Sequence, residues 1–379
     1  MKGFQIKASK LLARAKICRW CLGRQFTTDL RNAEALGASL GSNELASCDI
    51  CGGAYAKRLE TVETVLEKLT GYEFASFQVG VIVPKNKVDR EDELRSQCRI
   101  STGIGLKKAL VAMYRSELRA KVPHVQHKGT PDISVKIDLE NGKTTIETRS
   151  LLFFVRYVKL DRGILVRGKP CNVCCGFGCA ACSDVGLEAE PKSIEFFIVK
   201  QFKESFNGSK VKISWSGTDD ENSLVNGSGR PIFVQVYNPI HRFSGVDKLD
   251  RMVGGPIQLV LIEERMASAV AFTGLKKLVK FYIKLSSPWV HQIHEIENQF
   301  KNKTLPSASR STKRIYWLKI EIVDNLTVVV LAYMDNGISP WSLLNGVHTP
   351  SKEVIGLIDV IGPNVVTSCT YDVIDFKFD

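Results

Sequence analysis

The apolar residues of this chain change their period several times, and each change predicts an element. From Lys57 to Leu69, Leu59, Val62, Val65 and Leu66 recur every three or four residues, the spacing of one helix face. A strand-like run, Phe77–Pro84, follows. Leu106–Ala120 returns to helical spacing, with Lys107, Lys108, Arg115 and Arg119 on its polar side. Val135–Leu139, Thr145–Glu147 and Leu151–Val158 then alternate or run apolar as strands do. Pro191-Lys192-Ser193 opens a helix that Ser193 can cap, with Ile194, Phe197, Ile198 and Phe202 on one face. Beyond it strands dominate: Val211–Trp215, Ile232–Tyr237, Ile257–Ile262, Leu278–Leu285, Trp317–Val323 and Leu326–Tyr333. Lys301–Arg314, rich in Lys, Arg, Ser and Pro, reads as a long exposed loop.

The order of these elements predicts an α+β chain whose second half is a mixed, largely antiparallel sheet. No internal repeat is visible. A length of 379 residues fits two or three domains. The expected division is a cysteine-bearing segment over 1–55, a small α+β domain over 56–165 and a sheet-rich domain over 166–379. The second boundary falls where Gly, Pro and a cysteine-rich loop cluster.

Charge adds a partner class. A formal net charge of +12 favours a polyanion, because Lys and Arg meeting phosphates release condensed counterions. The longest apolar runs, Leu151–Val155 and Leu326–Met334, are strand-sized, far short of the ~18 residues that suggest a membrane helix. The N-terminus has no continuous apolar stretch of the secretory kind. These features predict a soluble cytosolic protein, and nothing in the sequence calls for an obligate protein partner.

Eight of the eleven cysteines form four C-x-x-C pairs. Cys18/Cys21 and Cys48/Cys51 each present two thiolates from one tight turn, and two such turns complete a tetrahedral four-sulfur shell. Structural zinc is the expected occupant, since a closed thiolate shell has no open position for chemistry. Cys171/Cys174 and Cys179/Cys182, within CNVCCGFGCAACSDVG, make a compact second cluster that is also metal-capable. Cys98, Cys175 and Cys369 read as small buried hydrophobes. Cofactor motifs are missing. Gly142-Lys143-Thr144 lacks the first glycine of a phosphate loop, and Gly103-Ile-Gly105 is followed by Leu-Lys-Lys, which spoils a dinucleotide turn. No organic cofactor is expected.

Read with their surroundings, these motifs resemble the archaeal tRNA pseudouridine synthases that act on the T-loop. The likeness is carried by Cys18-Arg-Trp-Cys21-Leu-Gly-Arg24, Cys48-Asp-Ile-Cys51-Gly-Gly53, Pro131-Asp132-Ile133 and Arg156-Tyr157-Val-Lys159-Leu-Asp-Arg162-Gly163-Ile164. It continues in the second cysteine loop, Gly227-Ser-Gly229-Arg230-Pro231-Ile-Phe233 and Asn238-Pro239. The resemblance implies an N-terminal zinc site and a THUMP-like domain that hold tRNA. It also implies a C-terminal pseudouridine synthase domain acting without a cofactor on the uridines at tRNA positions fifty-four and fifty-five.

The family's catalytic loop aligns with Gly217-Thr-Asp219-Asp220-Glu221, which makes Asp220 the implied nucleophile and Asp219 the runner-up. Thr218 and Leu224 stand where the family has arginines, and Gly346-Val-His348-Thr-Pro350-Ser351 replaces a further arginine motif. The family tyrosine of a K-x-Y strand matches Tyr282 in Lys280-Phe281-Tyr282-Ile283-Lys284. Alternation by itself puts Lys280, Tyr282 and Lys284 on one strand face, where an aromatic between two ammonium groups can stack a base and hold its phosphates. Arg230, which fixes the register of the catalytic loop, is expected with Lys280, Tyr282 and Lys284 to bind the substrate. Lys301, Lys303, Arg310, Lys313 and Arg314 are a further phosphate-binding candidate, with a solvated loop as the default. Two rival readings are a zinc-containing tRNA-binding protein without catalysis, and a THUMP-bearing methyl- or thio-transferase, against which the absent cofactor loops count.

Overall fold

The computed structural model describes residues 2–45, 47–122, 130–190, 193–249, 255–265, 271–306, 312–349 and 352–378. Pro191, Lys192, Arg310, Pro350 and Ser351 lie outside them. The described chain forms two compact units, residues 1–149 with 240–242, and residues 150–239 with 243–379. No described helix is long and apolar enough to cross a membrane.

In the first unit the cysteine-bearing segment does not stand apart. Ile17, Trp20 and Leu22 share one buried cluster with Val62, Val65, Leu110, Val135 and Ile137. Three strands, Phe77–Ile82 (β1), Ile133–Asp138 (β2) and Lys143–Thr148 (β3), make a sheet in that order. β1 and β2 are parallel, and β2 and β3 antiparallel. The helices Arg58–Leu69 and Leu106–Lys121 match the expected amphipathic segments within a residue or two. Helix Lys85–Gln97 carries no apolar stripe to announce it. It is anchored by Leu94 and by Glu91, whose carboxylate accepts the Leu106 amide at 2.7 Å.

The second unit is built on nine strands: Leu151–Lys159 (β4), Lys210–Trp215 (β5), Val225–Tyr237 (β6), Ile257–Arg265 (β7), Lys276–Leu285 (β8), Thr304–Pro306 (β9), Thr312–Asp324 (β10), Thr327–Asp335 (β11) and Val366–Lys377. The last is β14, because the short hairpin Val347–Thr349 (β12) with Lys352–Val354 (β13) precedes it. The sheet runs β7-β4-β6-β14-β8-β11-β10-β9, with β5 on the side of β6. The β14/β6 pair is parallel, and the other described pairs in the sheet are antiparallel. Helix Ile194–Phe206 covers one part, its N-terminus capped by Ser193 Oγ accepting from the Phe196 amide at 3.1 Å. Helices Ile293–Phe300, Pro340–Asn345 and Leu357–Ile361 cover another, over Val279, Phe281 and Ile283.

Three expectations need correction. The boundary lies at Arg149/Ser150, not at 165/166, because β4 pairs with β6 and β7 rather than with the first sheet. The segment 1–55 is not a separate domain, because its apolar residues complete the core of the first unit. Lys301–Arg314 is not one loop. Leu305 is buried between its cations, and Thr304–Pro306 pairs with Thr312–Arg314.

Candidate active site and cysteine clusters

β6 begins seven residues earlier than its apolar run suggests, and two glycines make that possible. Gly227 and Gly229 hold φ of 61° and 75°. A Cβ at Gly227 would stand 2.3 Å from the Ile374 carbonyl oxygen, and one at Gly229 would stand 2.7 Å from that of Tyr157. Only glycine fits two such close backbone approaches. The strand then delivers Arg230 into the interior opposite Tyr157 of β4.

Arg230 meets the loop that precedes β6. Its Nε donates to Asp219 Oδ2 at 2.6 Å, its Nη2 donates to Asp219 Oδ1, and each side chain is 1% exposed. Tyr157 Oη donates to the same carboxylate at 3.2 Å. Burial disfavours the charge on Arg230, but Asp219 outweighs it and holds the guanidinium above its ordinary pKa. Both oxygens of Asp219 are thereby engaged.

Asp220 is held differently. Its Oδ1 accepts the Asn222 amide at 2.9 Å and its Oδ2 accepts Trp341 Nε1 at 3.3 Å. Its own amide donates to Tyr371 Oη at 3.2 Å. Its carbonyl accepts Lys159 Nζ at 2.9 Å, and the same ammonium reaches the Glu221 carbonyl at 2.6 Å. Arg162 donates to the Asn222 carbonyl and pairs with Asp372 at 2.8 Å, and Asp372 accepts the Leu224 amide at 2.9 Å. Lys159, at the end of β4, and Arg162, just after it, thus brace the loop where Thr218 and Leu224 leave it without its own arginines.

These groups line a cavity of about 370 Å³, with walls from Ser216 to Asp220, Lys277, Asn336 to Trp341 and Tyr371. That volume is at the small-molecule end of binding sites. Tyr371 packs edge-on to Trp341, with ring centroids 5.6 Å apart. Burial pushes the Tyr371 phenol up to about 12. Lys277, on β8, is 2% exposed, and burial with the neighbouring Arg230 lowers its ammonium to about 7.

The structure brings Asp220, Asp219 and Arg230 together. It does not bring Tyr282 to them. Lys280, Tyr282 and Lys284 do share a face of β8, with the Lys280 ammonium 5.1 Å from the Tyr282 ring centre. Lys277 stands on the opposite face of that strand, and none of the three lines the cavity. Trp341, Tyr371, Lys277 and Lys159 were missed from sequence. Lys159 alone left a trace, inside the segment Arg156–Ile164.

The two cysteine groups are compact. The sulfurs of Cys18, Cys21, Cys48 and Cys51 lie within 4.8 Å of one another, and so do those of Cys171, Cys174, Cys179 and Cys182. Cys18 and Cys51 are 3.9 Å apart, Cys174 and Cys182 3.8 Å, and Cys171 and Cys179 4.0 Å. Four bonds of ~2.3 Å to a tetrahedral zinc would set sulfurs about 3.8 Å apart. Donors aim at the sulfurs from outside: Arg24 Nη2 at Cys21, the Cys18 amide at Cys48, the Gly178 amide at Cys174 and the Gly186 amide at Cys182. Such donors suit thiolates and orient metal ligands. Either group could hold a metal ion.

Residues 61–138 match the family described as the Pus10 THUMP domain, archaeal. The "tRNA pseudouridine synthase Pus10" of Cenarchaeum symbiosum is 31% identical over 253 residues, 66% of this chain and 62% of that protein. The protein of that name from Nitrosopumilus maritimus is 30% identical over 239 residues, 62% of each chain. That from Methanocaldococcus jannaschii is 24% identical over 322 residues, 80% of this chain and 70% of the relative. The chain thus matches less than two thirds of the length of the first two. A solved pseudouridylate synthase superposes with a TM-score of 0.20 over 68% of this chain at 9% identity, too little to argue from. Residues 61–138 are thus similar to the archaeal Pus10 THUMP domain, and the chain is similar to part of the archaeal proteins named tRNA pseudouridine synthase Pus10.

Proposed function

We propose that this protein is a tRNA pseudouridine synthase that isomerises uridine in the T-loop, at position fifty-four, fifty-five or both, with Asp220 as nucleophile. The observation that carries the reading is the placement of Asp220. Its carboxylate lines the cavity on a loop braced by Lys159, while Asp219, its neighbour, has both oxygens on Arg230. The names of the relatives support the same reaction.

The chemistry fits these groups. The target uridine must leave its stack, and a weakly paired loop makes that cheap. Trp341 and Tyr371 offer ring faces and edges at the cavity to receive the base. A carboxylate can then attack and later leave as the glycosidic bond breaks and the base rejoins through carbon. Asp219 and Arg230 position the loop rather than react. Lys280, Tyr282 and Lys284, on the other strand face, are suited to the tRNA strand outside the cavity.

Zinc in Cys18, Cys21, Cys48 and Cys51, and in Cys171, Cys174, Cys179 and Cys182, would be structural, each closed shell tying loops that lack a core of their own. No organic cofactor enters. The partner is tRNA, and the place of work the cytoplasm. The deciding experiment is carbodiimide mapping of an unmodified tRNA transcript after incubation with the protein. New pseudouridine in the T-loop is the expected result. An unchanged transcript, with the protein bound to it, would favour a binding protein without catalysis.

A further inference from the structure

The isomerisation has a step that the nucleophile does not perform. It breaks the bond from ribose C1′ to uracil N1 and forms one from C1′ to C5. C5 then carries both the ribose and its original hydrogen. That hydrogen must leave as a proton, and N1 must gain one, before the ring is a pseudouridine.

Among the described residues, four titratable side chains line the cavity: Asp219, Asp220, Lys277 and Tyr371. Asp219 has both carboxylate oxygens on Arg230. Asp220 is committed to the bond with the substrate. Tyr371, pushed up to about 12 by burial, keeps its proton. Lys277 remains. It sits on the cavity face of β8, 2% exposed, and its ammonium makes no hydrogen bond or ion pair with any described residue. A buried ammonium without a partner is costly, so the uncharged amine is favoured unless a ligand supplies an acceptor. The groups around it divide. Arg230 from β6 disfavours its charge, and Asp219 from the loop favours it.

We propose that Lys277 is the base of the reaction: its free amine takes the C5 hydrogen as a proton after the ribose has been rejoined there. The inference rests on the synthase reading above. The amine lone pair forms the new N–H bond, and the C5–H electron pair restores the ring double bond. N1 is protonated from solvent, and the ammonium returns its proton to solvent. No oxidant, reductant or further reactant is needed. A group that ionises near the working pH is well matched to such a transfer.

The test measures single-turnover pseudouridine formation across pH for wild type, Lys277→Met and Lys277→Arg, with tRNA affinity measured alongside. For wild type the rate should rise with pH through about 7, as the amine loses its proton. Lys277→Met should lose about 100-fold or more in rate, lose that rising limb, and keep its tRNA affinity. Lys277→Arg keeps a cation that does not deprotonate, and it should be as slow as Lys277→Met. On tRNA carrying 5-deuterouridine, Lys277→Met should show a larger isotope effect than wild type, because loss of the C5 hydrogen has become limiting. Lys277→Met with wild-type rate and pH profile overturns the proposal. So does an active Lys277→Arg, which would mean that a fixed positive charge suffices. Wild-type protein that binds tRNA and forms no pseudouridine overturns the synthase reading, and this inference with it.

Discussion

Asp219 and Arg230 form a two-point ion pair with both side chains almost wholly buried, eleven residues apart in the chain and adjacent in space. Removing one partner of such a pair strands the other charge away from water. Asp219→Asn should therefore lower unfolding stability by about 3–5 kcal/mol. Urea unfolding followed by circular dichroism measures it. A midpoint unchanged from wild type would mean that the pair carries no structural weight.

Asp220→Asn should behave in the opposite way. Asparagine can still accept from the Asn222 amide through its one carbonyl oxygen and gives up only the long bond from the exposed Trp341, so the fold and the melting temperature should hold. It cannot act as a carboxylate nucleophile, so pseudouridine formation should vanish. Affinity for tRNA should persist, since it comes mainly from phosphate contacts elsewhere. If Asp220→Asn turns over and a folded Asp219→Asn does not, the two roles are exchanged.

Purified protein should hold about two zinc ions per chain. Cys48→Ser should remove one and lower the stability of the first unit, and Cys174→Ser should remove the other. Elemental analysis reads both. Metal-free protein with wild-type melting would refute structural zinc.

Asp132 should make the first unit sensitive to acid. Its carboxylate accepts the Ala75 and Ser76 amides at 2.9 and 3.2 Å and pairs with Arg149 and Arg242. Burial pushes its pKa up, but Arg149, the Ala75 amide and Arg242 outweigh this and hold it below the ordinary 3.8. A depressed folded pKa gives stability that is complete above the unfolded value and fades as pH falls through the folded one. Asp132→Asn should cost about 2 kcal/mol at neutral pH. The difference from wild type should shrink below 3.8. A gap that is constant from neutral to strongly acid pH would show that charge is not the cause.

Binding to tRNA should weaken steeply with salt, as expected for a chain of net charge +12 that displaces counterions from a nucleic acid backbone. A plot of log affinity against log salt should slope clearly downward. A flat plot would assign the basic surplus to another purpose.

The sequence was most informative where a residue's neighbours in the chain are also its neighbours on an element. Alternation along β8 put Lys280, Tyr282 and Lys284 on one face and Phe281, Ile283 and Leu285 on the other, as found. It could not say which face bears the cavity. That depends on helix Pro340–Asn345 and on Tyr371 of β14, both far along the chain. β14 escaped notice because irregularities at Val366/Ser368 and Val373/Asp375 break its two-residue period. The segment Arg156–Ile164 was legible only as a resemblance. Its purpose, bracing the Asp220 loop, depends on the pairing of Tyr157 with Arg230 across β4 and β6.

The first unit includes residues 240–242, and Arg242 from this short return gives Asp132 its second cation. During synthesis the ribosome releases residues 1–149 well before that arginine. Until Ile240–Arg242 emerge, the nascent first unit must keep Asp132 beside Arg149 alone, and all of Ser150–Pro239 is translated in the interval. Its folding therefore cannot be completed vectorially. The last step waits for chain that belongs, by position, in the middle of the second unit.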